Sequence, residues 1–419
     1  MDKEIVKTPE KKDKNSKKKK RTVRKPSFFL YVVAIFIARL FLIPYWRIKI
    51  DRKEIKGLKG PVLALSTHAS TIDVVPVLFT LWPKRYNLIA AKDLFTWKEL
   101  KPFITAFGAV PASQEGMDLA MIRTLINGSK EGRSFLLFPE GKTSLDGKQL
   151  YYMKPGVAKL VKLMNCPIVM VKTHGAYATK PRYIKGFRRG RMDVKATVLF
   201  TKEETKALKE GEIFDRIKSA FEYNDNIWQQ ENKIKFRAKE MASNLNYVLY
   251  KCPRCGAEYE NETEKDVLRC KQCGNSVRLT PYGHLEPIGD ATTIDRIDLW
   301  VDYERESIRE EISREDFRLE KAVFVKMRDE EKHEYLDVGE GDLFITREKI
   351  GFVGIKDGAQ WRAELPLLEM HQLVTKNQEG VDLEISGKTY RFLFKEHKYS
   401  AKYGFIVEEL FAERNNISR

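Results

Sequence analysis

What most constrains this chain is a short apolar run that ends in reactive side chains, and it occurs twice. Pro61 to Leu65 leads into Thr67-His68-Ala69-Ser70-Thr71-Ile72-Asp73, and Ser134 to Phe138 leads into Phe138-Pro139-Glu140-Gly141 about seventy residues later. Apolar runs of this length fit strands, so both signatures fall where a strand gives way to a loop. A histidine five positions before an aspartate does not share a helix face with it, because helical neighbours lie three or four apart. The pairing works if His68 is in the loop leaving the strand and Asp73 in the first turn of the following helix. Asp73 then holds one ring nitrogen of His68, and the other is free to take a proton from a hydroxyl.

In this order and separation, the two motifs resemble the glycerolipid acyltransferase family, the 1-acylglycerol-3-phosphate acyltransferases in particular. The resemblance runs roughly from Gly60 to Phe200. It includes the HxxxxD box, Ala91-Lys92-Asp93-Leu94, Phe107-Gly108-Ala109-Val110, the FPEG box, Lys154-Pro155-Gly156-Val157-Ala158 and a strand from Pro167 to Val171. It implies an α/β fold and transfer of an acyl group from acyl-CoA or acyl-carrier protein to a glycerolipid hydroxyl. His68 would be the general base and Asp73 its orienter, with Glu140 and Gly141 part of the acceptor-phosphate site. The hydroxyl would attack the thioester directly, without an acyl-enzyme.

Several family positions differ. Where an arginine usually closes the second motif, the chain reads Gly108-Ala109-Val110-Pro111-Ala112-Ser113. After FPEG it has Lys142-Thr143-Ser144 in place of Thr-Arg-Ser, and Met170 replaces a proline in the late strand. An arginine forks onto phosphate oxygens, whereas a lysine offers a point charge. Phosphate recognition would then fall to Lys92, Lys142, Lys154 or Lys172, or the acceptor is a phosphodiester. The plainer readings are a packed structural His68, Glu140 as an acid favoured at a helix start, and solvated surface lysines. His174, at a second strand end, reads as packing or rim.

Net charge is +17 over 419 residues. Residues 1–26 carry ten Lys and two Arg against two Asp and two Glu, a net +8; residues 27–283 hold +18 and residues 284–419 hold −9. Such basicity suits nucleic acid or an anionic membrane. The run SFFLYVVAIFIARLFLIPYW, Ser27 to Trp46, favours the membrane. Twenty helical residues cover about 30 Å, a bilayer core. Arg39 and Pro44 favour an interfacial or re-entrant helix over a span, with Arg39 reaching back to the headgroups. Lys17 to Lys20 and Arg21 add attraction to an anionic cytoplasmic leaflet. Pro181 to Arg191, with Arg182, Lys185, Arg188, Arg189 and Arg191, is a candidate membrane- or phosphate-facing patch or an ordinary basic loop.

Four of the five cysteines form Cys252-Pro253-Arg254-Cys255-Gly256 and Cys270-Lys271-Gln272-Cys273-Gly274. Two such knuckles make a tetrahedral zinc site of the ribbon kind, closed by four thiolates and therefore structural; a disulfide pair is the alternative. Cys166 reads as a buried small apolar residue. The near-neutral ribbon segment gives no phosphate footprint, which weakens the nucleic-acid alternative. Residues 202–250 read as helical, with Ile213, Ile217, Ala220 and Phe221, then Met241, Leu245 and Leu249, at helical spacing.

From Glu315 the pattern turns to strands, and Ser400 to Glu413 reads as an amphipathic helix with Tyr403, Ile406, Val407, Leu410 and Phe411 on its apolar side. That pattern resembles a pleckstrin-homology or GRAM-like domain; its −9 charge points to protein contact or to packing against the basic catalytic region. The expected organisation is a basic disordered tail (1–26), an apolar membrane-associating helix (27–50), an acyltransferase domain (51–201), a helical bracing segment (202–250), a zinc ribbon (251–283) and a β-rich PH-like domain (284–419). The expected activity is acylation of 1-acyl-glycerol-3-phosphate to phosphatidic acid at the cytoplasmic face of the cell membrane. The alternatives are a lysophospholipid acyltransferase with a diester acceptor, or a non-catalytic membrane adaptor. The expected partners are an anionic membrane, a lysolipid and an acyl thioester, with no nucleic acid.

Overall fold

The computed structural model describes residues 23–112, 119–329, 334–376, 379–396 and 399–417. Lys17 to Lys20, Arg21 and Ser113 lie outside the described residues. Strands β1 (Lys49–Asp51), β2 (Leu63–Ser66), β3 (Tyr86–Ala91), β4 (Val110–Ala112), β5 (Ser134–Leu137), β6 (Ile168–His174) and β7 (Asp193–Phe200) form one sheet, ordered β1-β7-β6-β2-β5-β3-β4. Every pairing is parallel except β6 with β7. Parallel strands are covered on both faces and therefore read as unbroken apolar runs. Leu63, Ala64 and Leu65 of β2 and Phe135 and Leu136 of β5 are accordingly inaccessible. The helices Leu119–Lys130, Gly156–Met164 and Glu210–Ala220 cover one face through Leu125, Leu160, Val161, Ile213 and Ile217. The helix Val74–Leu81 and Trp46 cover the other. This arrangement brings the C-terminal ends of β2, β5 and β6 to one rim.

The apolar N-terminal segment forms a helix from Phe28 to Trp46, long and apolar enough by length and composition to cross a membrane. It is fastened at Tyr31, which packs on Trp82 and Phe107, and at Trp46, which packs on Phe187. Phe36, Leu40 and Phe41 are exposed between those points, and Phe28 and Phe29 before them.

The tail does not run loose to residue 26. Val23 joins the core, the Arg24 carbonyl accepts from Asn87, and the Pro26 carbonyl accepts from Arg85. The expected helical character of 202–250 holds only in part. Helices Lys202–Ala207, Glu210–Ala220 and Asp225–Glu231 are followed by an extended stretch in which Arg237 bridges Arg189. Met241 then lies in a turn, and Leu245 starts only a single short 3-10 helix, Leu245–Tyr247, that ends before Leu249, because Asn244 is left-handed (φ 60°) and the Ala242 amide donates to the ribbon at Lys265. The recurrence of apolar residues there reflects packing, not an α-helix.

Strands β8 (Asn261–Glu264), β9 (Val267–Cys270), β10 (Ser276–Leu279) and β11 (Leu285–Pro287) form an antiparallel ribbon, which extends past the expected boundary at 283. A helix not expected from sequence, Ile297–Ile312, follows; Trp300 donates its indole N–H to the Lys251 carbonyl and so ties this helix to the ribbon. Strands β12 (Arg318–Asp329), β13 (Glu334–Thr346), β14 (Lys349–Lys356), β15 (Ala359–Pro366), β16 (Val374–Lys376), β17 (Gly380–Ile385) and β18 (Lys388–Phe394) form a seven-stranded antiparallel sheet. The terminal helix Ser400–Arg414 departs from the expected amphipathic surface helix: it is buried on every side from Ser400 to Ala412. Its acids are internal because they meet buried cations. Glu408 and Glu409 take Arg305, and Lys402 takes Glu258 and Glu311. The fold is mixed α/β with an acyltransferase sheet, a four-cysteine ribbon and a β-rich C-terminal region.

Candidate active site

His68 follows β2 at the rim, and Asp73 immediately precedes the helix Val74–Leu81. His68 Nδ1 lies 3.4 Å from Asp73 Oδ2, and the same oxygen accepts the Ser70 amide at 2.8 Å. Asp73 is inaccessible while the His68 side chain is 19% exposed, so the dyad has a buried orienter and an open tip. Burial pushes the Asp73 carboxyl up, and the hydrogen bond and charge of His68 oppose it. The His68 ring packs on Phe138 with centroids 4.4 Å apart. The loop is tied to the neighbouring strand, since the Thr67 amide donates to Val171 O and the Thr173 amide to Thr67 Oγ1.

Glu140 is buried beneath the histidine loop. Its carboxylate accepts the His68 amide at 2.7 Å, with Leu150 N and Tyr223 Oη at 3.4 Å each, and only 5% of the residue is accessible. No helix begins there, so it is not a helix-start acid. Burial raises its carboxyl to about 7, against the pull of those hydrogen bonds. Gly141 (φ 73°) closes a turn in which its amide donates to Phe138 O. Lys142 is paired with Glu408 of the terminal helix. Glu140 thereby holds the histidine loop, the Gly141 amide closes the turn, and Lys142 meets the terminal helix.

The remaining lysines are dispersed. Lys92 is exposed beyond β3, Lys154 is half-buried before the helix Gly156–Met164, and Lys172 donates to Glu222 O at 2.8 Å. Of the basic loop, Arg188 is buried on Met241 O and Tyr183 Oη, Arg182 donates to Thr375, and Arg191 pairs with Asp193. Arg189 and Lys185 stay exposed. The sequence reading missed a second histidine–carboxylate pair beside the dyad. His174 Nδ1 lies 3.1 Å from Asp225 Oδ1, with its ring stacked on Trp228. Fifty-one residues separate the two partners, so no local spacing signals them.

The four cysteine Sγ atoms lie within 4.8 Å of one another, with Cys252–Cys273 at 3.7 Å and Cys255–Cys270 at 3.8 Å. Four sulfurs each about 2.3 Å from one ion make a tetrahedron with edges of about 3.8 Å. The spacing fits a metal and is far beyond a disulfide. Backbone N–H groups of Arg254 and Cys255 point at Cys252, and those of Gln272 and Cys273 at Cys270, which suits bound thiolates.

A buried carboxylate holding a partly exposed histidine at the end of a parallel strand can let that histidine act on a hydroxyl as a general base. Comparison with known proteins agrees: residues 47–173 match the acyltransferase family model. This match places an acyltransferase domain at residues 47–173, and the relatives that follow support O-acyl transfer. It is 25% identical over 139 residues to the 1-acyl-sn-glycerol-3-phosphate acyltransferase of Bacillus subtilis, covering 33% of this chain and 68% of that protein. Among solved structures, the LPA acyltransferase PlsC of Thermotoga maritima aligns at 20% identity and TM-score 0.39, over 46% of this chain and 76% of that one. The Ran binding domain of Nup2 from Ashbya gossypii aligns at 10% identity and TM-score 0.19, over 24% of this chain and 95% of that domain.

Proposed function

We propose that the protein transfers an acyl chain from acyl-CoA or acyl-carrier protein to 1-acyl-glycerol-3-phosphate, giving phosphatidic acid at the cytoplasmic face of a membrane. The observation that carries this reading is the His68–Asp73 pair, in which a buried carboxylate fixes Nδ1 and leaves Nε2 toward solvent. The acceptor hydroxyl attacks the thioester carbonyl carbon as His68 Nε2 takes its proton. The tetrahedral intermediate collapses with cleavage of the C–S bond, and the proton passes to the departing thiolate. Asp73 stabilises the imidazolium formed between those steps. The exposed helix Phe28–Trp46 supports placement at a bilayer, where the lysolipid resides. We infer that the Cys252–Cys255–Cys270–Cys273 site holds zinc in a structural role, since four thiolates leave no open coordination position.

One observation favours a second acceptor class. Lys142, the cation beside the FPEG box, is already engaged by Glu408. A phosphodiester lysolipid, with less negative charge to neutralise, suits such a rim. Thiol release from palmitoyl-CoA in mixed micelles, with lysophosphatidic acid against lysophosphatidylglycerol and lysophosphatidylcholine, separates the two. Preference for the phosphomonoester supports the main reading, and preference for a diester replaces it. His68→Ala is expected to lose about two to four orders of magnitude in turnover while remaining folded; near-normal turnover would refute the dyad.

A further inference from the structure

A cavity of about 280 Å³ lies at the same rim as His68 but at the far edge of the sheet, lined by Arg47, Arg189, Gly190, Lys235 and Arg237. Four of its five lining residues are cations. Among the described residues none of the four pairs with a carboxylate: Arg189 lies over the Tyr45 ring, and Lys235 over Tyr282. Packed surfaces normally interleave signs, so an unneutralised concave cluster of four positive charges is a site for an anion.

The backbone builds this cluster. Arg189 and Arg237 exchange both amide hydrogen bonds, at 2.8 and 2.9 Å, which fixes them side by side. In the extended stretch from Ile234 to Arg237 the chain alternates: Ile234 and Phe236 are buried, while Lys235 and Arg237 are exposed. Gly190 is required here, because a Cβ would come within 2.1 Å of the Phe236 ring that turns those cations outward. Arg47 enters from the left-handed residue (φ 48°) that ends the helix Phe28–Trp46. The cavity thus opens at the foot of an apolar helix whose aromatic side chains are exposed.

We propose that this pocket holds the phosphate of an anionic phospholipid of the bilayer in which the helix Phe28–Trp46 is bedded. It is separate from the acyl-transfer site: Arg47 precedes β1 and His68 follows β2, three strand spacings apart in the sheet order, or about 14 Å. A lipid held there would orient the rim, and with it the open tip of His68, toward the membrane surface. The proposal rests on the membrane reading above, and the test separates the two.

Full-length, zinc-loaded protein is sedimented with vesicles of phosphatidylcholine alone and of phosphatidylcholine with phosphatidylglycerol, at physiological ionic strength. Arg47→Gln/Arg237→Gln is expected to weaken binding to the anionic vesicles about 25-fold, about fivefold for each cation removed beside an anionic surface. Its binding to neutral vesicles is unchanged. Lys130→Gln/Lys159→Gln removes the same charge from exposed positions on the face away from Trp46, and is expected to bind as the wild type does. Equal losses from both pairs would make the effect one of net charge and overturn the pocket. Displacement by millimolar inorganic phosphate would assign the site to a free anion and overturn the lipid. A wild type that binds neither vesicle overturns the membrane reading itself, whereas one that binds both equally overturns only the pocket. If circular dichroism shows the double variant unfolded, Lys235→Gln carries the same test at about fivefold.

Discussion

Glu140→Gln is the sharpest probe of how the FPEG box works. The carboxyl is raised from its ordinary 4.5 to about 7, chiefly by burial. An acid raised in the folded state binds its proton more tightly there than in the unfolded chain. Its contribution to stability is therefore complete below about pH 4.5 and is lost as pH rises through about 7. The separation of those values converts to about 3 kcal/mol. Glutamine keeps the shape and an oxygen for the His68 amide but cannot ionise. It also turns an N–H toward Leu150 N, a cost of about 1 kcal/mol that does not vary with pH. Hydrogen exchange read by mass spectrometry on peptides from β2 and β5, with the intrinsic rate divided out, gives the local opening free energy. From pH 5 to pH 8 the wild type should lose about 3 kcal/mol more than the variant. Asp73, also raised by burial, is present in both proteins, and its charge is a smaller cause of the rise at Glu140. Parallel curves for the two would refute the assignment of Glu140 as a buried brace.

Two further outcomes test the ribbon and the C-terminal docking. Cys255→Ser should lower zinc content, measured by atomic emission, together with thermal stability, because metal binding and folding of such a ribbon are one equilibrium; a stable, fully loaded variant would contradict the four-cysteine site. Burial would raise Glu408, yet the charges of Lys142 and Arg305 outweigh it and hold the carboxyl at about 2. Its stabilising effect is thus present above about 4.5 and lost as pH falls toward 2. Glu408→Ala leaves buried Lys142 without its carboxylate, while Arg305 keeps Glu409, and should cost about 3 kcal/mol, seen as faster proteolysis between the ribbon and β12; unchanged proteolysis would mean the pair does not hold the domains together.

The catalytic pair was legible because its chemistry is local: His68 and Asp73 are five residues apart, and one strand end and one helix start place them. The ribbon was legible for the same reason, since each knuckle is a four-residue turn. The misreadings share the opposite cause. Lys142 reads as a phosphate ligand until Glu408, 266 residues away, is brought to it. Met241, Leu245 and Leu249 have helical spacing, but contacts from the ribbon fix the chain in turns and one short 3-10 helix. Lys235 and Arg237 lie in a segment that reads as helical, and nothing in it indicates that Arg47 and Arg189 converge on them.

The sequence alone pointed to the acyltransferase class through the resemblance of its two ordered motifs, and short-range spacing and apolar length marked His68 with Asp73, the four clustered thiols and the apolar N-terminal helix. Only the tertiary structure decided which charges are used internally and which are left to face a ligand. It set Glu140 against the His68 amide, buried the terminal helix from Ser400 to Ala412, and gathered at the foot of the apolar helix four cations with no carboxylate partner among the described residues. Whether a charge is paired depends on partners distant in the chain, and burial fixes the energetic consequence; neither quantity exists until the chain has folded.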